Sequence, residues 1–207
     1  MAIGLFGGSF DPVHVGHLRI AEEVREEFSL ERIYFVPAWL QPLKRLTNPA
    51  GADDRARMIE AAIRDNDRFR ISRVEIRRRD ISYTIDTVRH FARKYDDIYF
   101  LVGLDAFTDI ALWKGYRDLF SYTNFVVMVR PGSLAARLPE NVTGQMRSIG
   151  DTTWEHPSGK RIFLHHLTQL DISSTKVRQL VQGGRSIKYL VPRVVEQYIK
   201  LRGLYTN

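Results

Sequence analysis

Gly7-Gly8-Ser9-Phe10-Asp11-Pro12-Val13-His14-Val15-Gly16-His17 follows a short apolar strand, Ala2 to Phe6, and runs directly into a helical pattern starting near Val15. A strand, a glycine turn and a helix start carrying two histidines together form a place to hold phosphate. Glycines let a ligand approach the main chain with no Cβ in the way. The first N–H groups of the helix and the positive end of its dipole favour an anion. His14 and His17, three residues apart, share one helical face and can reach one group together. The same residues also read as a tight strand-to-helix turn, capped by Asp11-Pro12, with two surface histidines. Two histidines bracketing Gly16 after a double glycine weight the balance towards phosphate. No lysine opens the helix as in a P-loop, and no Gly-x-Gly-x-x-Gly is present. Imidazoles therefore join the main chain in the contact, and they titrate near neutrality.

The chain has 207 residues, 44% of them apolar, enough for one α/β domain with its own core. It contains no cysteine, which excludes disulfides and thiolate metal sites and fits a reducing cytoplasm. No basic segment followed by an apolar run opens the chain, and no apolar stretch is long enough to span a bilayer. A soluble, cytoplasmic protein without a membrane partner is expected. Basic residues number 31 against 24 acidic ones, a formal net charge of +7, which suggests anionic ligands. Apart from Arg77-Arg78-Arg79 the basic residues are scattered. No aromatic residues interleave with that run as in a stacking platform. The run reads as a solvated strand end, and nucleotides fit the charge better than a nucleic acid does.

Strand and helix alternate along the chain. Ile33 to Val36, Phe69 to Ile76, Ile98 to Val102, Phe125 to Val129 and Ile162 to Leu167 read as further strands. Continuous apolar runs such as Ile98 to Val102 mark strands buried on both faces. Helices are expected over 15–28, over Asp53 to Asp65, and over Tyr83 to Tyr95 with Ser82 as cap. Two more close the chain near Ser174–Gln182 and Pro192–Leu201. The pattern predicts a single α/β domain over 1–207, built on a doubly wound, mostly parallel sheet. Its C-terminal helices, about 173–203, should pack on that sheet. Ligands in such folds sit at the carboxyl ends of strands, where strand order reverses. The loops carrying the histidines, Gly103 with Asp105, and Ile172 to Arg178 should therefore open on one rim.

The last of those loops has its own logic. Ser173, Ser174 and Thr175 place hydroxyls beside the N–H groups of a new helix, and Arg178 lies one turn on from Ser174. Alone, this is an ordinary N-cap with a surface arginine. On the same rim as the histidine turn it reads as a second phosphate cradle, and two cradles suit a nucleoside triphosphate.

Together, Gly-Gly-Ser-Phe-Asp-Pro-Val-His-Val-Gly-His and Ile172-Ser-Ser-Thr-Lys-Val-Arg178 resemble the nucleotidyltransferase superfamily defined by His-x-Gly-His. Within it, Ser82-Tyr83-Thr84-Ile85-Asp86-Thr87, Gly103-Leu104-Asp105, Leu112-Trp113 with Leu119, and Arg130-Pro131-Gly132 resemble the nicotinate mononucleotide adenylyltransferases. The likeness runs from Ile3 to about Gly203. It implies a Rossmann-like nucleotidyltransferase fold and transfer of AMP from ATP to nicotinate mononucleotide, giving deamido-NAD and pyrophosphate in NAD biosynthesis. His14, His17, Lys44 and Arg178 would do the electrostatic work. Gly7, Gly8, Ser9, Phe10, Gly103 and Asp105, with Ser173 to Thr175, would hold ATP. Trp113 would stack on the pyridine ring, a role that only the resemblance raises above that of a core tryptophan. Tyr83 and Thr84, at a helix start, would take the nicotinate carboxylate. Mg²⁺ would bridge the phosphates through substrate oxygens and water, with no protein metal site.

The chain departs from the family in two places. Leu43 stands where histidine is often found before the loop lysine, and Ser9 replaces a common threonine while keeping the hydroxyl. Alternatives are an adenylyltransferase acting on nicotinamide mononucleotide or phosphopantetheine, an ATP-binding sensor without chemistry, and a nucleic-acid binder resting on charge alone. The phosphopantetheine enzyme lacks the Ser-Tyr-Thr-x-Asp-Thr segment and the tryptophan. A sensor should have lost at least one of the four cationic groups. Assembly into a homo-oligomer is left open.

Overall fold

Continuous apolar strands need cover on both faces, and the chain meets that need with helices on either side of one sheet. The computed structural model describes residues 1–42, 50–129, 138–166, 168 and 170–206. Among them the strands are β1 (Ala2–Gly8), β2 (Arg32–Pro37), β3 (Phe69–Ile71), β4 (Asp97–Gly103), β5 (Asn124–Val129), β6 (Arg147–Gly150), β7 (Thr153–Glu155) and β8 (Arg161–His166). They form one sheet in the order β3-β2-β1-β4-β5-β8-β7-β6. From β3 to β8 every pairing is parallel, and β7 and β6 add an antiparallel hairpin edge.

Period-two alternation sorts the side chains. Ile3, Leu5, Phe100, Phe125 and Val127 face one core, while Phe6, Phe35, Leu101 and Val126 face the other. The first core is closed by α4 (Thr84–Ala92), α5 (Leu104–Thr108) and α6 (Tyr116–Tyr122). The second is closed by α1 (Val15–Glu27), α2 (Ala52–Ala62), α8 (Ser174–Gln182) and α9 (Arg193–Arg202). Short helices α3 (Val74–Arg78) and α7 (Glu140–Thr143) complete the set. α9 lies against α2, where the Tyr198 hydroxyl donates to Asp54 at 2.7 Å.

Strand order reverses between β1 and β4, which places a crevice at their carboxyl ends. Gly8 and Gly103 each lie two residues beyond the last β1–β4 pair, Phe6 with Leu101, so both strands end at one level. Gly8 also pairs with Pro37, which brings the exit of β2 to the same rim.

Three expectations are corrected. Phe69 to Ile76 is not one strand: β3 ends at Ile71 and the chain turns into α3. Glu75 and Ile76, neighbours in sequence, are both buried from that helix, which a strand's alternation would not allow. Arg77 and Arg78 therefore close a helix, with Arg79 as its left-handed cap at φ 53°, rather than a strand. Ser82 does not cap α4, whose N-cap is Tyr83.

Phe125, the second residue of β5, is fully buried and meets the rings of Phe100, Phe107 and Phe120 at centroid distances of 5.9, 5.4 and 5.4 Å. Phe125→Ala should cost about 3–5 kcal/mol through lost transfer energy and the cavity left behind. The measurement is the shift of the urea unfolding midpoint at unchanged slope.

Candidate active site

The histidine turn is held in a conformation that its sequence alone would not adopt. Phe10 has φ 50°, a left-handed value unfavourable for an aromatic residue, and its ring is 2% exposed. The ring packs on Phe6, Phe35 and His17, at 5.0 Å from the His17 centroid. Core packing fixes the strained turn, so Phe10 has little but main chain to present to a ligand. Asp11-Pro12 is a cis peptide. Gly16 is required by close approach: a Cβ there would lie 3.1 Å from the His14 Nδ1.

His14 and His17 come together, stacked with centroids 3.6 Å apart and planes at 26°, but not as two residues of one helical face: His14 is the N-cap of α1 in extended backbone, φ −138°, and His17 lies in the first turn. The His14 N–H donates to His17 Nδ1 at 3.2 Å. In neutral His17 the proton therefore resides on Nε2, which makes that atom the donor. Burial holds His14 down at about 4. It also holds His17 well below its ordinary value, with the neighbouring His14 adding to the effect. The pair is neutral at pH 7. The first amide of α1 is not available to an anion, because the Val15 N–H donates to the Leu190 carbonyl at 3.0 Å.

The second cradle is bonded directly to the first. The Ser174 hydroxyl donates to the Pro12 carbonyl at 2.9 Å, and Arg178 Nη1 donates to the Asp11 carbonyl at 2.7 Å. Ser173 is an ordinary cap, accepting from the Lys176 N–H at 3.2 Å. Thr175 Oγ1 lies 3.4 Å from Arg178 Nη2. Ser9 donates to Gln41 Oε1 at 2.8 Å. Across the crevice a Cβ on Gly103 would meet nothing within 4 Å, so that side is open. Asp105 is exposed in the first turn of α5. Lys44 lies outside the described residues.

Tyr83, Thr84 and Trp113 gather on the other side. The Tyr83 N–H is taken by the Ile81 carbonyl at 3.0 Å, leaving Thr84 and Ile85 as the leading amides of α4. Trp113 is half-buried against Phe100 at 6.3 Å, at the end of a short 3-10 turn rather than on a helix face. Lys114 Nζ stands 4.5 Å over the Tyr83 ring and 3.6 Å from Asp86.

Several members of the site escaped the sequence reading. Arg55 is buried and donates to the carbonyls of Ser9 (2.6 Å), Ala38 (2.6 Å) and Ala50 (3.1 Å). Glu75 is buried, with Thr87 Oγ1 donating to it at 2.6 Å and the Ser82 hydroxyl a further donor. Ser82 in turn accepts the Trp39 N–H at 2.9 Å. Burial pushes the Glu75 carboxyl up, against those hydrogen bonds. Tyr205 donates to Asp11 Oδ1 at 2.6 Å. None stands in a recognisable motif; only Lys114, next to Trp113, could have been flagged by position. Among the described residues no three His, Cys, Asp or Glu side chains are gathered as metal ligands would be.

The lowered His14 value has a consequence for stability. Between about 4 and 6.5 the unfolded chain binds a proton at His14 that the folded chain does not, so stability falls as pH drops through that window. The advantage of the parent over His14→Gln should shrink by up to about 3 kcal/mol from pH 7 to pH 4. Urea titrations of both proteins across that range check it.

Comparison with known proteins agrees with this geometry. The cytidylyltransferase-like family matches residues 5–180. A protein of Geotalea uraniireducens (strain Rf4), named probable nicotinate-nucleotide adenylyltransferase, is 44% identical over 100% of this chain and 99% of its own. One of the same name from Geobacter sp. (strain M21) is 41% identical at the same coverage. The solved structure of Plasmodium falciparum nicotinic acid mononucleotide adenylyltransferase complexed with NaAD shares the fold, with a TM-score of 0.71 and 21% identity over 99% of this chain and 97% of that one. With full-length relatives at these identities, the chain belongs to the cytidylyltransferase-like family and, within it, to the nicotinate-nucleotide adenylyltransferases.

Proposed function

We propose that this protein moves AMP from ATP to nicotinate mononucleotide, giving deamido-NAD and pyrophosphate. The observation that carries the reading is the joining of the two cradles. Ser174 on the Pro12 carbonyl and Arg178 on the Asp11 carbonyl set both against one rim, beside the open Gly103 edge. One ligand with several phosphates fits both. The full-length relatives supply the acceptor.

An acceptor phosphate oxygen is already a nucleophile, so no covalent intermediate is needed. It attacks the α-phosphorus in line, the bond to the β-phosphate oxygen breaks, and negative charge passes to the leaving pyrophosphate. His14, His17 and Arg178, with Lys44, stabilise that charge. His17 donates from Nε2, since its Nδ1 accepts from His14. Gly7, Gly8, the main chain of Ser9 and Phe10, Gly103 and Asp105 line the adenosine side, and Ser174 and Thr175 the phosphate side. The leading amides of α4 take the nicotinate carboxylate, with Trp113 against the ring and Lys114 adding positive charge nearby. Mg²⁺ enters as part of MgATP; its preference for oxygen ligands suits the triphosphate rather than the imidazoles. The enzyme acts in the cytoplasm on small molecules, without a nucleic-acid or membrane partner, alone or as a homo-oligomer. No helix among the described residues is long and apolar enough to cross a membrane.

Pyrophosphate release from MgATP should depend on nicotinate mononucleotide and drop severely with the nicotinamide compound. Equal rates would remove the carboxylate preference, and no release with either would overturn the reading. His17→Ala should lower kcat roughly 10²–10³-fold, measured where circular dichroism shows the variant folded, since it also loses the packing on Phe10 and the bond from the His14 N–H; near-normal turnover would remove the histidine from the mechanism. ATP binding should also draw protons from solution near pH 6, because an adjacent anion raises the depressed histidines. Calorimetry in buffers of different ionisation enthalpy measures that uptake.

A further inference from the structure

Tyr205 lies at the far end of the chain from the histidine turn, yet is 5% exposed and bonded into it. Getting it there takes a sharp return. α9 ends in Gly203 at φ 56°, the Leu204 N–H reaches back to the Ile199 carbonyl at 3.0 Å, and Tyr205 adopts φ 63°. A bulky residue in left-handed backbone is held there by its surroundings. Its hydroxyl donates to Asp11 Oδ1 at 2.6 Å, and the Ala50 N–H donates to the same oxygen at 3.0 Å. Asp11 is itself 1% exposed.

The other carboxylate oxygen explains why this matters. Among the described residues Asp11 Oδ2 has no hydrogen bond, and it faces Arg178 Nη1 at 3.8 Å, while that nitrogen donates to the Asp11 main-chain carbonyl at 2.7 Å. The carboxylate attracts the guanidinium without capturing it. Two donors on Oδ1 fix the plane of the carboxylate, and so hold Oδ2 at that distance. Without the phenol, the carboxylate can turn about its Cβ–Cγ bond and close on Arg178 as a charge-assisted pair. That would draw the guanidinium into the turn and away from a bound phosphate.

We propose that Tyr205 is a positioning residue for nucleotidyl transfer: through Asp11 it keeps Arg178 free of a closed ion pair and presented to the triphosphate. The proposal rests on Arg178 serving the phosphates, as argued above. Tyr205→Phe keeps the ring and removes only the donor. It should raise the KM for ATP and lower kcat, each about tenfold, with the KM for nicotinate mononucleotide unchanged. In an Arg178→Ala background the same substitution should add nothing. Wild-type constants for Tyr205→Phe, or an equal loss in both backgrounds, would overturn the proposal. Should Tyr205→Phe fail to fold, Asp11→Asn decides the matter. It should shift kcat or the ATP KM at least about threefold only while Arg178 is present, and no shift overturns the proposal. A parent that releases no pyrophosphate would sink the transferase reading instead. ATP affinity by calorimetry then replaces turnover, with weaker binding by Tyr205→Phe expected and unchanged binding overturning the proposal.

Discussion

A single buried guanidinium holds the rim together. Arg55 projects from α2 and donates to carbonyls that leave β1 at Ser9, leave β2 at Ala38 and precede α2 at Ala50. A buried charge is costly unless hydrogen bonds replace its water. Here main-chain carbonyls do so, and burial still pulls the Arg55 value down, with Asp11 the leading opposing influence. The consequence is geometric. Three segments are fixed to one planar donor, in addition to the bond from the Ala38 N–H to the Gly8 carbonyl at 2.9 Å, and the histidine turn inherits its position from them. Arg178 does the same on the other side by donating to the Asp11 carbonyl. The loops at the carboxyl ends of the strands are thus ordered in part by arginines acting on backbone.

The acceptor side is tied to this rim by a second polar chain. Glu75 receives Thr87 and Ser82, Ser82 receives the Trp39 N–H, and the Ser82 N–H donates to the Leu40 carbonyl at 2.8 Å. Trp39 follows Ala38, one of the carbonyls bound by Arg55. A set of buried and part-buried contacts therefore runs from the first turn of α4, through the exit of β2, to the histidine turn. In-line transfer demands a fixed separation between acceptor and donor, and under the proposed function these contacts would help to set it.

The legible parts of the molecule were those governed by local pattern. Unbroken apolar runs such as Phe125-Val126-Val127 announced strands covered on both faces, and the doubly wound order followed from strand–helix alternation. The pairing of His14 and His17 was expected from their spacing, but its cause is different: His14 is the extended N-cap of α1 and His17 its third residue, joined by the His14 N–H to His17 Nδ1 bond rather than by a shared helical face. Where two periods fit, the reading failed: Phe69 to Ile76 alternates, yet Glu75 and Ile76 are buried from a helix. The β6–β7 hairpin was invisible because its strands are short and, in β6, wholly exposed, so no apolar signal marks them. Arg55, Glu75 and Tyr205 were missed for another reason. Each acts on residues brought near only by the fold, Tyr205 across 194 positions, and an isolated arginine, glutamate or tyrosine carries no sign of that. Ser82 was assigned the local job its position suggests, while its hydroxyl serves Glu75 and Trp39 instead.

The histidine stack constrains how charge can enter the site. Two unit charges about 4 Å apart repel by about 4 kcal/mol at an effective dielectric near 20. With ring centroids at 3.6 Å, His14 and His17 do not both carry a proton while the crevice holds no anion. Burial already favours the neutral form of each. The arrival of phosphate reverses the balance, because each negative oxygen lowers the energy of an imidazolium beside it. The repulsion within the stack persists, so one added proton is far easier to accept than two. His17 already has a donor at Nε2 in its neutral form, whereas the buried Nδ1 of His14 has no partner among the described residues. A cradle of this kind is weakly charged when empty and becomes cationic in step with its ligand. Its attraction for phosphate is therefore concentrated where negative charge is densest, which during transfer is the departing pyrophosphate.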